Sequence, residues 1–160
     1  MSEKWIGKKQ ILGCVLVGVY TYQLHVNEEC FLFSNEFVLK FRNPNTLKSW
    51  YWRIGWFEDE NSNDHLIIKE QDTPEPLQYM IEPIISKEDY IIMSSQFSFA
   101  DNLINKVSGY GFKDIVEEIL TTLVLEFEDS FLLINTSPVI EIRYLKDKPN
   151  IKKDVIFSFE

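Results

Sequence analysis

The chain has 160 residues, a net charge of −9, 45% apolar residues and 26% charged ones. That length suits one domain burying roughly two-thirds of its unfolded surface, and the apolar share, with 23 aromatic side chains, excludes a disordered chain. Charge is unevenly spread: Ile54 to Glu141 carries 18 acidic residues against four lysines, a net of −14, and the remainder carries 12 basic against 7 acidic residues, a net of +5. An acidic middle argues against nucleic acid, because neutralising phosphate needs Lys and Arg. It suits a cationic partner, whose approach it would steer, and it also serves solubility.

The opening MSEKWIGKKQ is polar and lacks a long apolar core, and no apolar run approaches a membrane span. The expectation is a cytoplasmic protein with no membrane contact. Cys14 and Cys30 are too few for a disulfide framework and sit in apolar surroundings, so both are expected as buried thiols.

In chain order, Ile6 to Val19 is β-branched and apolar, which predicts a buried strand bent at Gly13 and Gly18. Thr21–Val26 alternates, Asn27-Glu28-Glu29 predicts a turn, and Phe31–Ser34 returns. Glu36–Arg42 alternates again until Asn43-Pro44-Asn45 stops it. Ser49–Phe57 places Trp50, Trp52, Ile54 and Trp56 on one face. With Leu66–Lys69 it predicts a hairpin closed by the acidic loop Glu58–Asp64. The tryptophans suit a sheet core, with a stacking platform as the sharper alternative. Gln71–Pro76 reads as a loop, Leu77–Ile85 is ambiguous because of Pro83, and Tyr90–Ser94 reads as a strand. Phe99–Val107 is the best helix candidate: Ser98 caps it, Ser108-Gly109 ends it, and Phe99, Leu103, Ile104 and Val107 follow helical spacing. Ile115–Leu120 predicts a strand despite its two glutamates, and Val155–Phe159 a last one.

An internal echo organises this pattern. Gln23–Arg42 and Val124–Arg143 align without a gap at an offset of 101, pairing Leu24 with Leu125, Leu32 with Leu133, Val38 with Val139 and Arg42 with Arg143. Upstream, Gly7 and Ile11 match Gly111 and Ile115 at an offset of 104, so the first copy carries three extra residues, placed within Val17–Tyr20. The repeat units are therefore about Ile6–Arg42 and Tyr110–Arg143. The apolar faces are kept and the polar tips vary: Glu126 and Glu128 face His25 and Asn27.

No nucleophile elbow, zinc-helix, phosphate-loop or dinucleotide motif is present, and no catalytic residue or cofactor is assigned. Asp59–Glu70 partly matches a calcium loop, since Asp59, Asn61, Asn63 and Glu70 fill positions 1, 3, 5 and 12. Position 6 is Asp64 rather than glycine and the flanks are not helical, so no metal is assigned. His25 and His65 are the only histidines, without cysteines or carboxylates at a zinc spacing. A Cys30–His25 dyad lacks a group to orient the ring. Paired acids such as Glu117/Glu118 and Glu126/Glu128/Asp129 have the chemistry of a general acid and base, but solvated turns explain them more simply.

The cassette of glycine, basic residue, apolar strand and LEFEDSFLLI in Gly111–Ile134, with its degenerate copy in Gly7–Phe33, resembles a group of small bacterial proteins built from two β-hairpin units. Some of these are immunity proteins of polymorphic toxin and contact-dependent inhibition systems. The resemblance covers about 70 of the 160 residues. It departs at Ser130, where the family usually has a turn glycine, and in the Trp-rich hairpin between the copies. It implies an interaction protein and transfers no catalytic or ligand residues.

The expected fold is mainly β (α+β): a single domain with an antiparallel sheet or half-barrel, built from the two related units and one short helix. The expected function is that of a cytosolic, non-enzymatic immunity protein covering the basic face of a cationic nuclease toxin domain. Glu58, Asp59, Glu60 and Asp64 are its first contact candidates, and Glu117, Glu118, Glu128 and Asp129 its second. The rival is a small-ligand-binding β protein using the Trp50/Trp52/Trp56 face, and a structural homo-oligomer is a third.

Overall fold

Alternation of apolar and polar residues, with polar turns between, makes antiparallel strands that each present one face to a core. In the computed structural model, residues 3–20, 25–26, 31–74, 91–92, 102–136 and 139–160 are described. They begin with a 3-10 helix, Glu3–Ile11, and continue as β1 (Val15–Tyr20), β2 (His25–Val26), β3 (Phe31–Ser34), β4 (Phe37–Arg42), β5 (Ser49–Glu58), β6 (Asp64–Gln71) and β7 (Ile91–Ile92). Then come β8 (Lys106–Lys113), β9 (Glu118–Glu126), β10 (Phe131–Thr136), β11 (Ile140–Leu145) and β12 (Asp154–Phe159). The protein is thus mainly β, with one short helix.

The strands form two antiparallel sheets, ordered β6-β5-β4-β1-β7 and β12-β8-β9-β10-β11-β3-β2. Both contribute to one core. Val19, Phe37, Leu39, Phe41, Trp52 and Ile54 of the smaller sheet meet Val107, Leu123, Leu125, Leu132, Ile134, Ile140 and Phe157 of the larger. The two copies of the repeat touch directly, because β11 pairs with β3 through Ile140↔Ser34 and Ile142↔Leu32. They are used differently. In the second copy β9, β10 and β11 run as a meander in one sheet, whereas in the first β2 and β3 stay in the larger sheet and β4 joins the smaller, between β1 and β5.

The start of the first unit differs from the predicted strand. Glu3–Ile11 is helical, anchored by the buried side chains of Trp5 and Ile11, and Gly13 at φ +77° turns the chain into β1. Trp5 stacks on Phe157 with ring centres 5.3 Å apart, and its indole N–H donates to Glu118 Oε2 at 3.1 Å. Gly7 and Gly111 are therefore not equivalent. Gly7 lies on the helix with nothing near it, whereas a Cβ on Gly111 would stand 1.8 Å from the Ile119 carbonyl oxygen. Gly111 sits where the β8–β9 register shifts, which is the usual reason for glycine inside a strand.

The helix predicted at Phe99–Val107 is also corrected over its described part. Residues 102–105 run extended, with Leu103 bridged to Val15, and β8 begins at Lys106. Gly13 N–H donates to Ile104 O, Ile104 N–H to Cys14 O and Leu16 N–H to Asn102 O. These bonds to Gly13, Cys14 and the start of β1 replace the intrahelical ones. Ser98 and residues 99–101 lie outside the described residues, as do the Asn27–Glu29 turn, Cys30 and Leu77–Ile85. Ser108-Gly109, read as a helix end, is strand interior, and Gly109 leaves room for the Phe157 ring.

On the outer face of the larger sheet, the segment before β12 is pinned by Lys153. Its ammonium donates to Thr121 Oγ1 at 2.9 Å, Thr122 Oγ1 at 3.1 Å and Asn135 Oδ1 at 3.2 Å. Burial holds its pKa below the ordinary lysine range. Cys14 is a buried free thiol as expected, and burial raises its pKa.

Candidate functional site

Two hairpin tips define the most distinctive surface. The first joins β5 to β6, where Asn61, Ser62 and Asn63 make a tight reversal. Asp59 Oδ1 accepts from the backbone N–H groups of Asn61 and Asn63 at 2.8 and 3.0 Å, Asp59 N–H donates to Asn63 O, and Ser62 adopts φ +64°. An Asp closing its own turn in this way is what makes acidic loop residues fold locally. The candidate calcium loop is therefore a β-hairpin: Asp59 Oδ1 is committed to the turn, and Glu70 lies in β6 opposite Trp52.

The second tip joins β8 to β9, where Asp114-Ile115-Val116-Glu117 forms a turn in place of the predicted start of a strand at Ile115. Asp114 Oδ1 accepts from Val116 N–H and Glu117 N–H, each at 2.8 Å, and those bonds hold the Asp114 carboxyl below its ordinary pKa. The geometry leaves Ile115 and Val116 fully projected into solvent, at 104% and 90% relative exposure.

Between the tips lies an open groove of about 680 Å³, lined along its walls by Phe57, His65, Ile67, Ile115, Val116 and Glu117. The N-terminal helix contributes Lys4, Trp5 and Lys8. Phe57 and Ile67 are themselves exposed large apolar side chains. Burial pulls the Lys8 ammonium below its ordinary pKa, against the opposing pull of Glu70. Of the acidic candidates at the first tip, Asp59 reaches one side of the groove beside His65, whereas Glu58 and Glu60 do not line it. Glu117 and Glu118 rim the other.

The structure thus brings Asp59 together with Glu117, 58 residues further along the chain. Glu128 and Asp129 are not among them: they are exposed in the β9–β10 turn, at the other end of β9. Asp64 faces a separate cleft of about 310 Å³, together with Phe112, Asn135 and Lys153.

One contact inside the groove was not foreseen. His65 stacks on Phe57, ring centres 4.5 Å apart and 13° from parallel, as their direct cross-strand pairing allows. Its Nε2 donates to Asp59 Oδ2 at 2.7 Å. That bond, followed by the two backbone bonds, lowers the Asp59 pKa from 3.8 to about 2. Glu117 reaches the same place from the second tip, so that ligand atoms of Asp59, His65 and Glu117 lie within 4.8 Å of one another. Asp59 and His65 were both visible in the loop sequence. Glu117, 52 residues beyond His65, has no local signal tying it to them.

The tryptophan face belongs to the core. Trp52 is 1% exposed and meets Phe41 edge-on at 5.0 Å, and Trp50 and Trp56 pack against the buried cluster. Trp56 also borders a cleft with Arg53 and Glu36. Among the described residues no helix is long and apolar enough to cross a membrane. No protein-family model, curated protein or solved structure matches the chain.

Proposed function

We propose that the chain is a binding protein of the immunity type, which captures a basic protein domain in the groove between the β5–β6 and β8–β9 tips and acts by covering that domain's functional face. The observation that carries this reading is the exposure of Ile115, Val116, Phe57 and Ile67 in one concavity rimmed by acids. Solvent-facing apolar side chains clustered inside a charged rim are the arrangement of a protein interface: the apolar centre desolvates and holds, and the rim orients. Carboxylates at both tips favour a lysine- and arginine-rich partner, such as the phosphate-reading face of a nuclease toxin, and would speed its approach. Packing of the tryptophan face into the core favours this reading over a ligand carrier built on Trp50, Trp52 and Trp56.

The test is binding to the toxin domain encoded beside this chain's gene. The Ile115→Asp/Val116→Asp variant is expected to weaken affinity by at least about 100-fold through loss of the apolar centre. Glu58→Lys/Glu60→Lys is expected to slow association about 10-fold and to flatten its salt dependence. Wild-type affinity in both variants would sink the proposal.

A further inference from the structure

The groove holds a second arrangement, in which two of its tip carboxylates meet a histidine. Asp59, His65 and Glu117 are the one place among the described residues where three His, Cys, Asp or Glu side chains converge closely enough to share an ion. Their chemistry is mixed, one imidazole nitrogen and two carboxylate oxygens, which is a donor set that borderline divalent metals accept.

We propose that Asp59 Oδ2, His65 Nε2 and a Glu117 carboxylate oxygen form a binding site for a divalent cation of the zinc class, with its remaining coordination position open to the groove. This goes beyond the docking proposal and does not rest on it.

Two of the three donors are already positioned. Oδ1 of Asp59 closes the turn by accepting two backbone N–H groups, and Oδ2 is engaged by His65 Nε2. The His65 ring is held by its stack on Phe57, so Nε2 is presented at a fixed angle, as supporting contacts do for metal-bound imidazoles. Glu117 is exposed, and its side chain can swing toward the other two.

The separations fit a small adjustment. Ligand atoms about 2.0–2.1 Å from zinc in a tetrahedron stand about 3.3 Å apart. The Asp59–His65 contact of 2.7 Å must therefore open slightly, and the spread of up to 4.8 Å must close. On binding, the hydrogen bond from Nε2 to Oδ2 is replaced by two metal bonds. The imidazole stays neutral by carrying its proton on Nδ1, so protons compete with the metal and acid weakens binding. Asp114 and Glu118 line the same groove and offset the repulsion from Lys4 and Lys8.

The experiment is calorimetric titration of the full chain with zinc chloride, paired with visible spectra of the protein loaded with Co(II) in place of zinc. One ion per chain is expected, with the intense ligand-field bands of a tetrahedral cobalt site. His65→Ala and Glu117→Gln should each weaken binding by about 100-fold or more, since even the residues supporting a ligand are commonly worth 10- to 100-fold. Glu117→Gln lies on an exposed turn and keeps the fold intact, and Glu128→Gln, at the far end of β9, should bind as wild type. Absence of saturable binding at millimolar metal overturns the proposal, and so does wild-type affinity in Glu117→Gln. These readouts need no partner, and Ile115→Asp/Val116→Asp leaves all three ligands in place, so the two proposals fail separately.

Discussion

Residues 23–42 and 124–143 carry the same apolar alternation, yet the second stretch completes a meander within one sheet while the first divides between two. The difference arises at the junction before the third strand. In the second copy β10 reverses into β11, pairing Thr136 with Ile140. In the first, Glu36 stands at the junction, is buried, and forms an ion pair with Arg53 of β5 at 2.8 Å. A buried carboxylate needs its partner, and here the partner belongs to the smaller sheet, so β4 follows it there. Apolar periodicity decides that a segment is a strand. The polar residues at its ends decide which sheet receives it.

This contrast can be broken or sharpened by mutation. The largest effect is expected at the aligned glycines: Gly111→Ala should destabilise by about 3 kcal/mol or more because its Cβ has no room. Gly7→Ala should change stability by no more than about 0.5 kcal/mol. Urea unfolding of both variants checks the pair, and equal effects would restore the equivalence that the sequence suggests.

Next comes Glu36→Ala, which strands Arg53 and should cost about 2 kcal/mol, less than for a pair fully out of water. A thermal midpoint equal to that of the wild type would refute the role given to the junction. Ser130→Ala should cost about 1 kcal/mol, since the buried Ser130 hydroxyl accepts from Tyr144 O–H at 2.8 Å and so joins the β9–β10 turn to β11.

The smallest effect concerns pH. The Asp59 carboxyl is depressed from 3.8 to about 2, so its contribution is complete above the ordinary carboxylate range and is lost as pH falls from about 4 toward 2. Asp59→Asn should remove part of the wild-type loss of stability in that window. Unfolding curves at pH 2.5 and 6 test the sign.

Much of the fold was legible because period-two alternation is unambiguous when a strand has one buried face. Glu36–Arg42, Ser49–Phe57, Leu66–Lys69 and Val155–Phe159 anticipated β4, β5, β6 and β12 to within one or two residues at each end. The failures have two causes, long-range backbone bonding and a local cap. Leu103, Ile104 and Val107 satisfy helical spacing, but backbone bonds to Gly13, Cys14 and Leu16 hold residues 102–104 extended. Ile115 and Val116 look like buried strand residues, and only the capping bonds of Asp114 explain why they sit at an exposed tip. Of the acidic candidates, charge picked out Asp59 and Glu117, which converge, and Glu118, which lines the groove. It could not separate them from Glu128 and Asp129, because distance along β9 is invisible until the turns are placed.

The seam between β3 and β11 has a consequence for synthesis. Residues 31–34 acquire their β11 partner only when residues 140–143 exist, so during translation one edge of β3 waits for more than a hundred further residues. Pairing across so long a span closes slowly, and an unmet strand edge invites association with other chains. The short β2, bonded to β3 through His25↔Phe33 and Val26↔Leu32, guards the opposite edge alone. The nascent chain is therefore most exposed to misassembly after its first hairpin forms and before its last strands emerge, and a ribosome stalled within β10 would leave that edge permanently open.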